Sequence, residues 1–75
     1  MKYEYDDEAD WLFIWFVNLE QEKDNYQREI WPEELKDKVG LIFDKNEKLM
    51  GIEFLAASTF FDEKFLKKIA ESSYT

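Results

Sequence analysis

The apolar positions change period along the chain. From Lys2 to Tyr5 polar and aromatic residues alternate, which puts Tyr3 and Tyr5 on one face of a strand. Asp6-Asp7-Glu8-Ala9-Asp10 breaks that alternation, and its Asp side chains suit capping of nearby N–H groups, so a turn is expected. Trp11 to Val17 is a run of aromatic and β-branched residues, too short for a typical helix. It is apolar on both faces, with Trp11, Phe13, Trp15 and Val17 on one and Leu12, Ile14 and Phe16 on the other. That pattern predicts a central strand covered on both sides. Asn18 to Asn25 is polar and reads as a loop or hairpin connection, and Tyr26 to Trp31 as a weaker strand. Pro32-Glu33-Glu34-Leu35 predicts one helical turn, with Pro at its first position and two acids at the positive end. Val39 to Phe43, a turn at Asp44 to Glu47, and Lys48 to Leu55 predict a hairpin.

The tail shifts to a helical period. Phe61, Phe65 and Ile69 recur every four residues and form an apolar stripe with Leu66. Ser58 or Thr59 is expected as N-cap, with Asp62 and Glu63 in the first turn and Lys67 and Lys68 near the end. Ser72 to Thr75 is expected to fray. Together these elements predict an α+β, mainly β fold in one domain over residues 1–75. It would be a four- to five-stranded antiparallel meander sheet over residues 2–55, with a C-terminal helix at about 59–72 packed on one face. One helix of about three and a half turns cannot cover five strands. The other face then calls for a second cover, supplied by a dimer or a partner.

Composition narrows the chemistry. The chain has 75 residues, no Cys and no His, which excludes a disulfide framework, a Cys/His zinc site and a Ser-His-Asp triad. Three Trp, four Tyr and seven Phe are far too many for a disordered segment. Such side chains help so short a chain build a core, with oligomerisation or a partner as the other route. The longest apolar run, Trp11 to Val17, is far short of a membrane span, and the opening residues are unlike a signal peptide. A cytoplasmic location is expected. The net charge of −8 argues against direct binding to nucleic acid or anionic membrane. That excess lies wholly in residues 1–37, with 12 acids and 4 bases, while residues 38–75 carry six of each.

Two segments resemble a short bacterial family catalogued as a domain of unknown function. Tyr5-Asp6-Asp7-Glu8-Ala9-Asp10-Trp11-Leu12-Phe13-Ile14 is similar to its opening, Y-D-x-E-A-D-x-L-Y-I. Val39 to Asp44 is similar to its V-x-L-D-x-D block, and Gly51-Ile52-Glu53-Phe54-Leu55-Ala56-Ala57-Ser58 to its ending, G-I-E-I-L-x-A-S. The blocks cover roughly half of the chain, and their order and spacing agree. The resemblance implies a compact β-rich fold, no established activity, and for some members a place as the smaller partner of a toxin–antitoxin pair. It also implies a fold role for Asp6, Glu8 and Asp10, leaving Glu4 and Asp7 freer. The chain departs from the pattern at Trp15, where polar residues are usual, in the long segment from Asn18 to Lys38, and in the helix after Ser58.

The candidate sites follow from charge and aromatics. A calcium loop needs Gly at its sixth position and Glu at its twelfth. Counted from Asp6 these are Trp11 and Val17, and counted from Asp44 the sixth is Leu49, so no metal site and no cofactor are expected. Glu4, Asp6, Glu8 and Asp10 would form a ladder mimicking nucleic-acid phosphates if the segment were extended, but a solvated turn is favoured. Glu53 lies in an apolar strand. An edge or solvent-facing position, or a pair with Arg28 or a nearby lysine, is favoured there, and a cleft shared with a second carboxylate would instead revive an enzyme. Trp11 and Phe13 are expected in the core, and Trp15 and Trp31 at an interface.

The leading expectation is a non-enzymatic, acidic protein-binding module, an antitoxin-like neutraliser of a basic protein partner. The contact would lie on one acidic edge, through Glu4, Asp7, Trp15, Glu20, Glu22, Asp24, Trp31, Glu33 and Glu34. The alternatives are a phage-type inhibitor that blocks a defence nuclease as a nucleic-acid mimic, and a structural homodimer.

Overall fold

Two hairpins and one shared central strand build the sheet. The computed structural model describes residues 1–73. Strands β1 (Lys2–Asp6) and β2 (Trp11–Trp15) pair across the acidic turn. Strands β3 (Tyr26–Ile30), β4 (Val39–Asp44) and β5 (Leu49–Leu55) follow, and every pairing is antiparallel. The order is β1-β2-β5-β4-β3. The fold is thus α+β and mainly β, with a five-stranded sheet and a C-terminal helix, α2 (Glu63–Ser73).

The order departs from an uninterrupted meander. The turns at 7–10 and 45–48 fix the pairs β1–β2 and β4–β5, and β3 takes the other side of β4. The free side of β5 then receives β2, so β5 is the centre and β2 lies one strand from the edge. The Trp11 strand is thus interior to the sheet, as expected, but it is not covered on both faces along its whole length, since Trp11 is exposed. Residues 18–25 are also more ordered than a loop. Helix α1 (Leu19–Glu22) forms there because the Asn18 side chain accepts from the Glu20 N–H at 3.1 Å, and a 3₁₀ turn at Lys23–Asn25 follows.

Helix α2 starts later than expected. Asp62 Oδ1 accepts from the Lys64 N–H at 2.7 Å and caps the helix in place of Ser58 or Thr59. The segment Ala57–Thr59 is a separate 3₁₀ turn. The helix is assigned through Ser73, and the expectation for Tyr74 and Thr75 lies outside the described residues. Among the described residues no helix is long and apolar enough to cross a membrane.

The two faces of the sheet differ. On one, α2 lays Leu66 and Ile69 onto Leu12 and Ala57, with Tyr3, Tyr5, Ile14, Phe54 and Phe61 packed around them. Phe65 stays exposed on the shoulder of the helix against Phe61. The opposite face has its own small core of Trp15, Ile42 and Met50, covered at one end by Val17 and by Leu19 of α1. A bulge in β5 places Met50 there, because Ile42 pairs with Gly51 and Phe43 with Leu49. Gly51 leaves room for the neighbouring indole, since a Cβ there would sit 2.7 Å from Trp15 Cε3. The far end of this face, around Trp11, is open.

Candidate functional site

Strand alternation sets Trp11, Phe13 and Trp15 in a row on the open face. Phe13 and Trp15 stack at 5.3 Å with ring planes 6° apart, and Trp11 tilts against Phe13 at 5.2 Å. Carboxylates flank the row on both sides. Glu4 of β1 and Glu53 of β5 both lie opposite Phe13. Trp15 Nε1 donates to Glu4 Oε1 at 2.8 Å, and Trp11 Nε1 donates to Glu53 Oε2 at 2.5 Å. Beyond Glu53, on the same face, come Gly40 of β4, Glu29 of β3 and the half-buried Trp31.

The row ends in an open depression of about 600 Å³. Glu4, Asp6, Asp7 and Glu8 line it beside Trp11 and Phe13, with Lys2 at its margin. Four carboxylates against two aromatic faces suit an arriving cation, which meets opposite charge and π-faces together. Asp6 is committed to the turn as well, for its Oδ1 accepts from the N–H groups of Glu8 at 3.0 Å and Ala9 at 3.2 Å. Strand β1 ends at Asp6, so Glu4, Asp6, Glu8 and Asp10 do not form an extended ladder.

Asp10 faces the other way and ties its turn to the 3₁₀ turn that follows β5. Its carboxylate accepts from Ser58 Oγ at 2.6 Å, from the Ser58 N–H at 3.0 Å and from Tyr5 Oη at 2.9 Å. Its own carbonyl accepts from the Ala57 N–H at 2.9 Å. The Ser58 bonds hold the Asp10 carboxyl below its ordinary range against the opposing effect of burial, with Tyr5 adding to them. Burial, and then the bond to Asp10, push the Tyr5 hydroxyl up to about 12. Tyr5, Asp10, Ala57 and Ser58 thus join the two ends of the sheet region by a set of contacts that leaves Asp10 little capacity for a ligand.

A family catalogued as a protein of unknown function (DUF2283) matches residues 2–58. The chain belongs to this family. The DUF2283 match contains the whole sheet and the Asp10–Ser58 link, while α2 lies beyond it. No curated protein and no solved structure matches the chain.

The expected site residues separate within the DUF2283 sheet. Glu4 and Asp7 line the depression. Glu20, Glu22 and Asp24 lie on the α1 connection, where the Glu22 carboxylate accepts from the Asn25 amide. Glu33 and Glu34 are exposed on a 3₁₀ turn (Glu33–Leu35) next to Trp31, at the β3 side. Because β1 and β3 are opposite edges, the acidic half of the chain forms no single edge. Two tryptophan assignments reverse. Trp15 is 9% exposed and packed into the core, while Trp11, expected inside, is 39% exposed at the end of β2. Glu53 is neither at an edge nor paired with Arg28. It is 7% exposed on the central strand, and Arg28 pairs with Glu47 at 2.5 Å and lies over Phe43. Glu29 drew no attention in the sequence, and its place over Gly40 depends on a strand order that spacing alone does not give. Among the described residues no group of three or more acidic side chains is placed to hold a metal ion.

Proposed function

We propose that the chain is a non-enzymatic binding module that takes a basic protein partner on its open sheet face, acting as an antitoxin-like neutraliser in the cytoplasm. The observation that carries this reading is the depression where Glu4, Asp6, Asp7 and Glu8 meet the exposed Trp11 and the half-buried Phe13. Acids at the rim speed the approach of a cationic surface, and the aromatics supply the contact area that holds it. Glu53 does have a second carboxylate beside it, Glu29, but the two side chains are within hydrogen-bonding reach of each other. Glycoside hydrolysis needs carboxyl groups about 5 Å or more apart, with the substrate between them. A binding role therefore accounts for the face better than an enzymatic one.

The test is affinity capture from the native host with the wild-type chain and with the double substitution Asp7→Lys, Trp11→Ala. The wild type is expected to retain a basic protein that the variant loses, and that retention should fall as salt rises. Equal capture by both, or affinity indifferent to salt, contradicts the proposal. Displacement of the chain by DNA or RNA would point to nucleic-acid mimicry, and a stable dimer in sedimentation with no captured protein would point to a homodimer.

A further inference from the structure

Glu29 and Glu53 meet on the open face in surroundings that do not suit two charges. Glu53 is 7% exposed and accepts from Trp11 Nε1. Glu29 lies over Gly40, where an added Cβ would overlap its carboxylate and come within 2.9 Å of Trp31 Cζ2. One oxygen of Glu29, Oε2, is buried without a hydrogen-bond partner. Ionised carboxylates only accept, so two of them in contact leave such an atom stranded and repel each other. A single proton between them converts the contact into an O–H donor and an acceptor. We propose that Glu29 carries a proton that it donates to Glu53, and that its release frees Glu29 from its seat over Gly40, making the pair a pH-operated latch on the open face.

The groups around the pair are few. From β5 the titratable group facing Glu29 is Glu53. From β4 the same face presents Gly40 and Ile42, and the continuation of β3 presents Trp31, none of which titrates. Arg28 lies on the opposite face, over Phe43, and its ion-pair partner is Glu47. Burial first, then the bond and the charge of Glu53, raise the Glu29 carboxyl to about 7. The latch therefore operates near neutral pH. Because β3 is an edge strand with a register shift between Tyr26 and Arg28, release loosens an edge and leaves the helix-covered core in place. The inference concerns the free protein and stands whether or not a basic partner exists.

Thermal unfolding of the wild type and of Glu29→Gln between pH 5.5 and 8.5 tests it. The folded state holds the Glu29 proton more tightly than the unfolded state, so wild-type stability falls as pH rises through about 7. Gln keeps a neutral donor beside Glu53, so the variant should lose that slope and melt above the wild type at pH 8.5. A flat wild-type profile, or a variant with the wild-type slope, overturns the proposal. If the variant does not fold, the wild-type indole N–H signals of Trp11 and Trp31 decide by NMR. A shift in both with a midpoint near 7 supports the latch, and constancy across the range refutes it. The chain has no histidine to confuse that reading.

Discussion

Asp10 and Glu29 are both carboxyl groups drawn into the sheet, and the fold treats them in opposite ways. Asp10, on the turn that joins β1 to β2, receives two donors from Ser58 and one from Tyr5, so its charge is welcome. Glu29, over Gly40 on the open face, finds a second carboxyl group where a donor is needed, so its proton is retained. The difference is one of partners rather than depth. Donors convert a withdrawn carboxylate into a clasp that fixes the chain, whereas an acceptor converts it into a group that responds to pH. The same division separates the two faces. The helix side carries the fully buried Leu12 and Ala57 under α2, and the other side keeps the exposed Trp11 beside its carboxylates.

The largest expected effect probes that division between Trp15 and Trp11. Trp15→Ala empties the small core with Ile42 and Met50 and should cost about 3–5 kcal/mol, enough to unfold much of so small a domain. Trp11→Ala removes a half-exposed ring and should cost less than half of that, roughly 1–2 kcal/mol. Denaturant titration of both variants checks it, and equal costs would mean that the open end is as much core as the covered end.

Next in size is the clasp. Asp10→Ala leaves Ser58 and Tyr5 without their acceptor and should cost about 1–3 kcal/mol by chemical unfolding. Asp10 also sits at φ 55°, a region that Asp tolerates better than Ala, which adds to the cost. A loss under a few tenths of a kcal/mol would remove the clasp from the picture.

The pH dependence comes third and has two signs. Asp10, held below its ordinary value, contributes stability at pH above about 4 that is lost as pH falls through its folded value. Glu29, held above its ordinary value, contributes stability at low pH that is lost as pH rises through about 7. Maximum thermal stability should therefore lie near pH ~5, between the two transitions. A maximum at pH 8 would show that Glu29 ionises without penalty.

The smallest effect concerns the β5 exit. Ala56 has φ 54°, where a Cβ is strained, so Ala56→Gly should gain about 0.5 kcal/mol, visible as a rise of a few degrees in melting temperature. No gain would mean that the entropy of the added glycine cancels the relief.

Much of this architecture was legible along the chain. The period-two segments, the turns at Asp6 to Asp10 and Asp44 to Glu47, and the period of Phe61, Leu66 and Ile69 place the five strands and the helix nearly where they occur. Such signals are local, and local pairing fixes hairpins. Which strand takes the free side of β5 is a long-range choice that local signals leave open, and the surroundings of Glu53 depend on it. Alternation also put Trp11 and Trp15 on one face correctly. It could not tell them apart, because their difference comes from Gly51, Met50 and Leu19 arriving over one end of that face. The acidity of the first half was visible as a count, yet β1 and β3 carry it to opposite edges. Glu29 was the least legible of all, since nothing adjacent to it in the sequence signals the glycine beneath it or the carboxyl group across from it.

One carboxyl-detected NMR titration of the wild-type chain from pH 2 to 9 compares the two regions directly. Asp10 is expected to titrate below the ordinary aspartate value and Glu29 near 7. Ordinary midpoints for both groups, or a Glu29 midpoint below 5, would contradict the opposition between the clasp and the latch.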